Sequence, residues 1–191
     1  MAGAVNSTIL GAAGEHYVMC RLLRRGMIAA LAPAGVPDAD IIVSNRLGSS
    51  LAAVQVKARQ RGGTKGGWVM KAKHETIKRP LLFYAFVDFG KTLDAAPQCW
   101  ILPSETVADA VKESHAVWLK MPGKDHKDTD MRGLSHDYSK FGIGRPLGWL
   151  DPYREAWGTI AAASEKAKPQ EFQTDPLPSP AIRRSGEVLP G

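Results

Sequence analysis

The chain has 191 residues and carries 25 Lys and Arg against 19 Asp and Glu, a formal charge of +6. With 44% hydrophobic and 23% charged residues it has ordinary globular composition, which excludes a wholly disordered chain and allows one sizeable core. Two cysteines, Cys20 and Cys99, exclude a disulfide framework or a CxxC metal knuckle, and no apolar run nears the roughly 18–20 residues that span a bilayer, so the expectation is a soluble, cytoplasmic protein with no membrane partner.

The sequence opens on a predicted helix from about Asn6 to Arg25. Asn6 or Ser7 can cap it, and Gly26 stands where a left-handed C-terminal glycine belongs. Residues 1–14 lack the basic flank of a signal peptide, the first basic residue being Arg21. Gly11 and Gly14 are poor helix formers, each costing up to about 1 kcal/mol relative to alanine, and mark a face that packs very closely. Short extended pieces follow: Met27–Ala32, Asp40–Ser44 and Leu51–Ala58. In the last of these, period-two geometry puts Val54 and Val56 on one face and Gln55 and Lys57 on the other. Arg59–Gly67 reads as a basic, glycine-rich loop, Trp68–Lys71 as a strand and Lys73–Arg79 as a short helix or turn. The near-continuous apolar run Leu81–Phe89 predicts a central strand, Gln98–Leu102 another, and Ser104–Lys112 a helix capped by Ser104. Residues 120–148 read as loop, and Leu150–Ala163 as a last helix with Asp151 as cap and Pro152 at its first position. Domain organisation is thus one domain over residues 1–165 and a Pro-rich, flexible tail over residues 166–191.

The charge is uneven. Residues 57–79 hold Lys57, Arg59, Arg61, Lys65, Lys71, Lys73, Lys78 and Arg79 against Glu75 alone, a net +7 that exceeds the charge of the whole chain. Such a stretch attracts polyanions, nucleic acid above all, through counterion release.

Beside this stretch lies a candidate catalytic set. If the second and third strands form an antiparallel hairpin, Asp40 at the start of one lies beside Gln55 and Lys57 near the end of the other. A carboxylate, an amide carbonyl and an ammonium then meet at one end of a sheet. A hard ion such as Mg²⁺ needs only one or two carboxylates and a carbonyl, because it keeps several waters. A lysine there can orient a water or steady a phosphoryl transition state. Each residue also has a plainer reading. Glu15 can pair with helix arginines, Asp38 and Asp40 can be turn residues, and Gln55 and Lys57 can be the solvent face of an edge strand.

The ordered set Gly14-Glu15, Pro37-Asp38-Ala39-Asp40 and Gln55-Val56-Lys57 resembles the PD-(D/E)XK nuclease superfamily, in the D…QxK form of Mrr-type restriction endonucleases and archaeal Holliday-junction resolvases. The resemblance covers roughly residues 8–105. It implies a restriction-endonuclease-like α/β fold, a mixed sheet flanked by helices, and Mg²⁺- or Mn²⁺-dependent hydrolysis of DNA. By the same resemblance Asp40 and Gln55 bind the metal, Lys57 acts on the attacking water and Glu15 completes the site. Asp38 is then a helper or turn residue. Arg59, Arg61, Lys65, Lys71, Lys73, Lys78 and Arg79 are the expected nucleic-acid-binding residues. The alternative is an inactive scaffold of this fold that binds nucleic acid or a partner protein; a homodimer and a protein partner for the tail stay open.

Other motifs carry less. Asp128-Thr-Asp130 lacks the remaining ligands of a calcium loop, Gly142–Gly148 has the wrong spacing for a dinucleotide site, and Gly62–Gly67 lacks the Gly-Lys-Ser/Thr end of a phosphate loop. No Gly-x-Ser-x-Gly occurs.

Overall fold

The structure is a computed structural model that describes residues 6–48, 50–61, 66–123 and 125–166. Residues 167–191 of the Pro-rich tail and Lys65 lie outside the described residues, and Lys166 closes the last helix. Elements follow in the order α1 (Ser7–Leu23), β1 (Ile28–Leu31), β2 (Ile41–Ser44), β3 (Leu51–Arg59), β4 (Gly67–Lys71), β5 (Leu82–Asp88), β6 (Gln98–Pro103), α2 (Ser104–Leu119), β7 (Met131–Ser135) and α3 (Gly158–Lys166). No helix of the described residues is long and apolar enough to cross a membrane.

A mixed sheet in the order β1-β2-β3-β5-β6 forms the middle layer. The first three strands form an antiparallel meander, and β3 runs parallel to β5. Every residue of β5 is buried, as its unbroken apolar run Leu82–Val87 requires of a strand covered on both faces. The expected hairpin of β2 and β3 is present, with Ile41 opposite Val54 and Ser44 opposite Leu51.

Two cores lie on the two faces of this sheet. On one, α1 and the region of α3 bring Val18, Leu22, Trp157 and Ile160 against Ile41, Val54, Val56 and Phe83. On the other, α2 and a separate two-stranded sheet of β4 and β7 cover Tyr84, Phe86 and Leu102 with Trp68, Met70, Val107, Val111 and Leu134. Of this second sheet, β4 falls on the strand expected at Trp68–Lys71, whereas β7 lies within the region read as loop. Met131–Ser135 buries only Leu134 and has Gly133 at its middle, so it lacks the β-branched alternation by which strands are recognised.

The second helix is longer than its predicted span, running to Leu119, and Pro103 rather than Ser104 is its N-cap; the Ser104 hydroxyl instead bonds the backbone of Arg79. The last helix is shorter than predicted. Asp151–Tyr153 is a single 3-10 turn, Arg154 bridges to Trp100, Glu155 takes a left-handed φ of 52°, and α3 starts only at Gly158. Bonding of the Glu155 amide to the Cys99 carbonyl (2.9 Å) competes with helical continuation there.

The two glycines of α1 differ. A Cβ at Gly14 would come within 2.8 Å of Ala58 Cβ and 3.3 Å of Val56 Cγ1, whereas one at Gly11 would meet nothing within 4 Å. Close packing on β3 therefore rests on Gly14 alone. Substituting Gly14→Ala is expected to destabilise the protein by about 1–3 kcal/mol through overpacking. Gly11→Ala, in contrast, is expected to stabilise it by up to about 1 kcal/mol through helix propensity. Urea denaturation followed by tryptophan fluorescence reads both; equal effects would contradict this packing.

Candidate active site

The antiparallel ladder of β2 and β3 ends at Ile41 and Val54, with one further bond from the Asp40 amide to the Val54 carbonyl (2.9 Å). Beyond that point the Asp40 carboxylate takes over. Its Oδ2 accepts the Val56 amide at 2.6 Å and the Gln55 Nε2 at 2.8 Å. Val54 and Val56 are in the core, so Gln55 and Lys57 project from the other face of β3, both half-buried. Asp40 and Gln55 are thus in direct contact, and Lys57 lies within the electrostatic reach of Asp40.

Burial lowers the proton affinity of Lys57, an effect that Asp40 opposes and neighbouring Lys73 and Lys71 reinforce. Glu15, half-buried on α1, has its carboxyl pushed up first by burial and then by the negative charge of Asp40. The charge of Asp40 is thus felt at Glu15 across the junction of α1 and the sheet. Both hydrogen bonds to Asp40 fall on Oδ2, which leaves Oδ1 and the Gln55 Oε1 without a hydrogen bond among the described residues. Two carboxylates and an amide carbonyl suit Mg²⁺ or Mn²⁺, which retain water in the remaining positions. No cluster of three or more His, Cys, Asp or Glu able to hold a metal occurs among the described residues, so any ion here also depends on the Gln55 carbonyl and water.

The structure gives the two neighbouring aspartates different work. Asp38 adopts a left-handed φ of 60° after Pro37 and pairs with Lys73 Nζ (2.7 Å) and Arg79 Nη2 (3.2 Å). The hydrogen bond from Lys73 holds its carboxyl below the usual range.

Beside Lys57 opens a cleft of about 560 Å³ lined by Val69, Lys71, Lys73, His74 and Asp130. His74, on the 3-10 turn Ala72–Glu75, is buried, and its Nδ1 lies 3.0 Å from both the amide and the carbonyl of Lys71. Its Nε2 has no hydrogen-bond partner among the described residues. Burial lowers the pKa of this imidazole. Nothing in the sequence singled out His74, because it sits in a single turn between two strands and belongs to no spaced motif.

The expected nucleic-acid-binding residues separate into groups. Arg61, Lys71, Lys73, Lys78 and Arg79 are exposed, with Lys71 near Asp130 (3.4 Å) and Lys78 on Asp109 (2.7 Å). Arg59 is the correction. Only 6% of its side chain is exposed; it bonds Asp88 through Nε (2.9 Å) and Nη2 (2.8 Å), and its Nη1 donates to the Gly66 carbonyl (3.1 Å). Nη2 also donates to His136 Nε2 (3.0 Å), and the guanidinium lies 4.2 Å from the Trp68 ring centre. Since arginine only donates, His136 Nε2 accepts, and burial together with Arg59 pushes that imidazole down to about 4. Period-two reading could not separate Arg59 from its basic neighbours, because its partners Asp88 and His136 lie 29 and 77 residues away.

The fold is shared with a nuclease. The chain is similar to the bacterial homing endonuclease I-Ssp6803I, with a TM-score of 0.50 and 16% identity over 84% of this chain and 94% of that one. It also matches the Holliday junction resolvase Hjc of Archaeoglobus fulgidus, at a TM-score of 0.40 and 16% identity over 78% of this chain and 95% of that one. No protein-family model matches the sequence, and no curated protein does.

Arg59→Ala is expected to destabilise the protein by about 3–5 kcal/mol, since it removes the guanidinium that pairs with the buried carboxylate of Asp88. Arg61→Ala, on the exposed side, is expected to stay within about 0.5 kcal/mol of the parent. Chemical denaturation decides; a small effect at both positions would place Arg59 on the surface after all.

Proposed function

We propose that residues 1–165 form a divalent-metal-dependent endonuclease that hydrolyses DNA phosphodiester bonds with structure selectivity or weak sequence preference. The observation that supports this most is the contact of Asp40 with Gln55 at the end of the β2–β3 ladder, with Lys57 on the same face as Gln55. Asp40, Gln55 and Glu15 would hold Mg²⁺ or Mn²⁺, which when bound supplies Lewis-acid polarisation of a phosphoryl oxygen. Lys57 orients the attacking water and stabilises negative charge on the phosphoryl group. Its lowered proton affinity lets it exchange a proton with that water at lower pH than a free lysine does. The water oxygen bonds to phosphorus, the phosphorus–ester oxygen bond breaks, and the leaving oxygen takes a proton. Lys71, Lys73 and Arg61 contact the phosphate backbone, which positions DNA and carries little sequence information. Free Cys20 and Cys99 suit a reducing, cytoplasmic setting.

One observation favours a second reading. Gln55 is neutral where a carboxylate would bind metal more tightly, so the same scaffold can serve to bind nucleic acid without cutting it. That reading predicts salt-sensitive binding and no metal-dependent cleavage.

Nicking of plasmid or branched DNA with Mg²⁺ or Mn²⁺ tests the proposal. Asp40→Asn and Lys57→Ala are each expected to lower the rate by at least about a hundredfold; a wild-type rate equal to that of Lys57→Ala would refute catalysis at this site. Mn²⁺ binding, read by electron paramagnetic resonance of the free ion, should weaken as pH falls through the raised Glu15 value, above the ordinary 4.5. Protonation of Glu15 removes a ligand charge, so the loss lies on the acid side, and Glu15→Gln should abolish that dependence.

A further inference from the structure

We infer that Asp38 is a positioning residue that holds Lys73 and Arg79 as a preformed clamp for a DNA phosphate beside the Asp40–Gln55–Lys57 site. The inference rests on the nucleic-acid reading above and adds a residue and a role to it. Asp38 has only 9% of its side chain exposed, yet its two partners are more than half exposed, at 56% for Lys73 and 57% for Arg79. One carboxylate oxygen takes each cation: Oδ1 meets Lys73 and Oδ2 meets Arg79. The anion lies underneath, and the cations keep open surface.

Stability alone does not account for this arrangement. Ion pairs whose cations are so exposed add little to folding, while a left-handed backbone at a non-glycine residue costs free energy. Strain retained without a return in stability collects at functional sites. The segment that carries the cations is also fixed elsewhere. The Ala72 amide bonds the Asp130 carbonyl at 2.9 Å, Arg132 pairs with Glu75, and the Arg79 amide bonds the Ser104 hydroxyl at 2.8 Å. Asp38 adds what those ties do not, a fixed direction for the long side chains of Lys73 and Arg79. Lysine and arginine lose much rotamer freedom when they bind a phosphate, and a clamp ordered in advance has already lost it.

Position gives the clamp its purpose. Asp38 precedes Asp40 by two residues, so one short turn carries both the anchor of the clamp and the first carboxylate of the site. Lys73 and Lys57 line the same cleft, together with the buried imidazole of His74, whose Nε2 has no hydrogen-bond partner among the described residues. A phosphate seated on Lys73 and Arg79 is thereby placed at a set distance from the bond to be cut. Displacement of reacting groups by about 1 Å can cost a hundredfold in rate.

Asp38→Asn tests this, because asparagine also tolerates the left-handed backbone and keeps the shape of the side chain. Loss of a negative charge should leave DNA affinity equal or tighter. The single-turnover cleavage rate at saturating DNA should fall about tenfold, and adding Lys73→Met to Asp38→Asn should lower it no further. A cleavage rate within twofold of wild type would overturn the inference. A second measurement does not depend on cleavage. Acetylation of lysine amines, read by mass spectrometry with and without a DNA duplex, should find Lys73 severalfold less reactive in wild type than in Asp38→Asn, and further protected by DNA in wild type. Lys73 left unprotected by bound DNA would overturn the clamp. A wild-type protein that binds DNA without cutting it would refute the nuclease reading, and the acetylation pattern would still decide the clamp.

Discussion

The Val56 amide links the candidate site to the core. Its side chain is buried against α1, while its N–H reaches past the end of β2 to the Asp40 carboxylate at 2.6 Å. An unpaired buried amide costs about 1–3 kcal/mol, so this bond both satisfies the strand and fixes the acid. Alternation does the rest. Burying Val54 and Val56 is worth about 1.5–3 kcal/mol each, and a one-residue slip of β3 would forfeit both while turning Gln55 and Lys57 into the core. The same packing that stabilises the sheet thus aims the polar pair outward. Gly14 guards this arrangement from the other face, since any side chain there would press on Val56 and Ala58.

The opposite face carries the cover that makes a cleft. The β4–β7 sheet and α2 close over Tyr84, Phe86 and Leu102, with Trp68 and Met70 as the packed contacts. Arg59, the last residue of β3, ties this layer down through Asp88, His136 and the face of Trp68. A buried ion pair of this kind is a weak source of net stability but a strong penalty for misassembly, because separating its members leaves each charge without solvent. Arg59 lies two residues beyond Lys57. The wall that borders the lysine is therefore fastened close to where the lysine emerges.

The legible parts of this molecule were those fixed by local periodicity. Val54 and Val56 revealed the facing of Gln55 and Lys57, the apolar run at Leu82–Val87 revealed a strand covered on both sides, and Gly14 revealed close approach to a neighbour. What stayed hidden depends on partners distant in sequence. Met131–Ser135 becomes a strand only because β4 offers an edge, and Leu150–Tyr153 stops short of a helix because Glu155 bonds the Cys99 carbonyl. Arg59 looked like its basic neighbours because neither Asp88 nor His136 is near it in the chain. His74 had no periodic signal, and the contrast between Asp38 and Asp40 needed the backbone angle at Asp38 to become visible.

Net charge alone therefore overstates how much of residues 57–79 can meet a polyanion. Arg59 is consumed in the interior, Lys78 is held by Asp109, and Lys71 lies near Asp130. Lys73 and Arg79 are neutralised in part by a carboxylate that they cover. Among the described residues Arg61 and Lys57 complete the set, and Lys57 is half-buried within the cleft. A +7 segment thus divides into an internal tie, a restrained pair and a few cations facing solvent. Such a surface releases fewer counterions on binding than its sequence charge implies, since each internal ion pair has already displaced part of that atmosphere. Under the nuclease reading proposed above, affinity is given up in return for placement, because the turn that carries Asp38 and Asp40 would set a phosphate held by Lys73 and Arg79 at a fixed distance from Asp40 and Lys57.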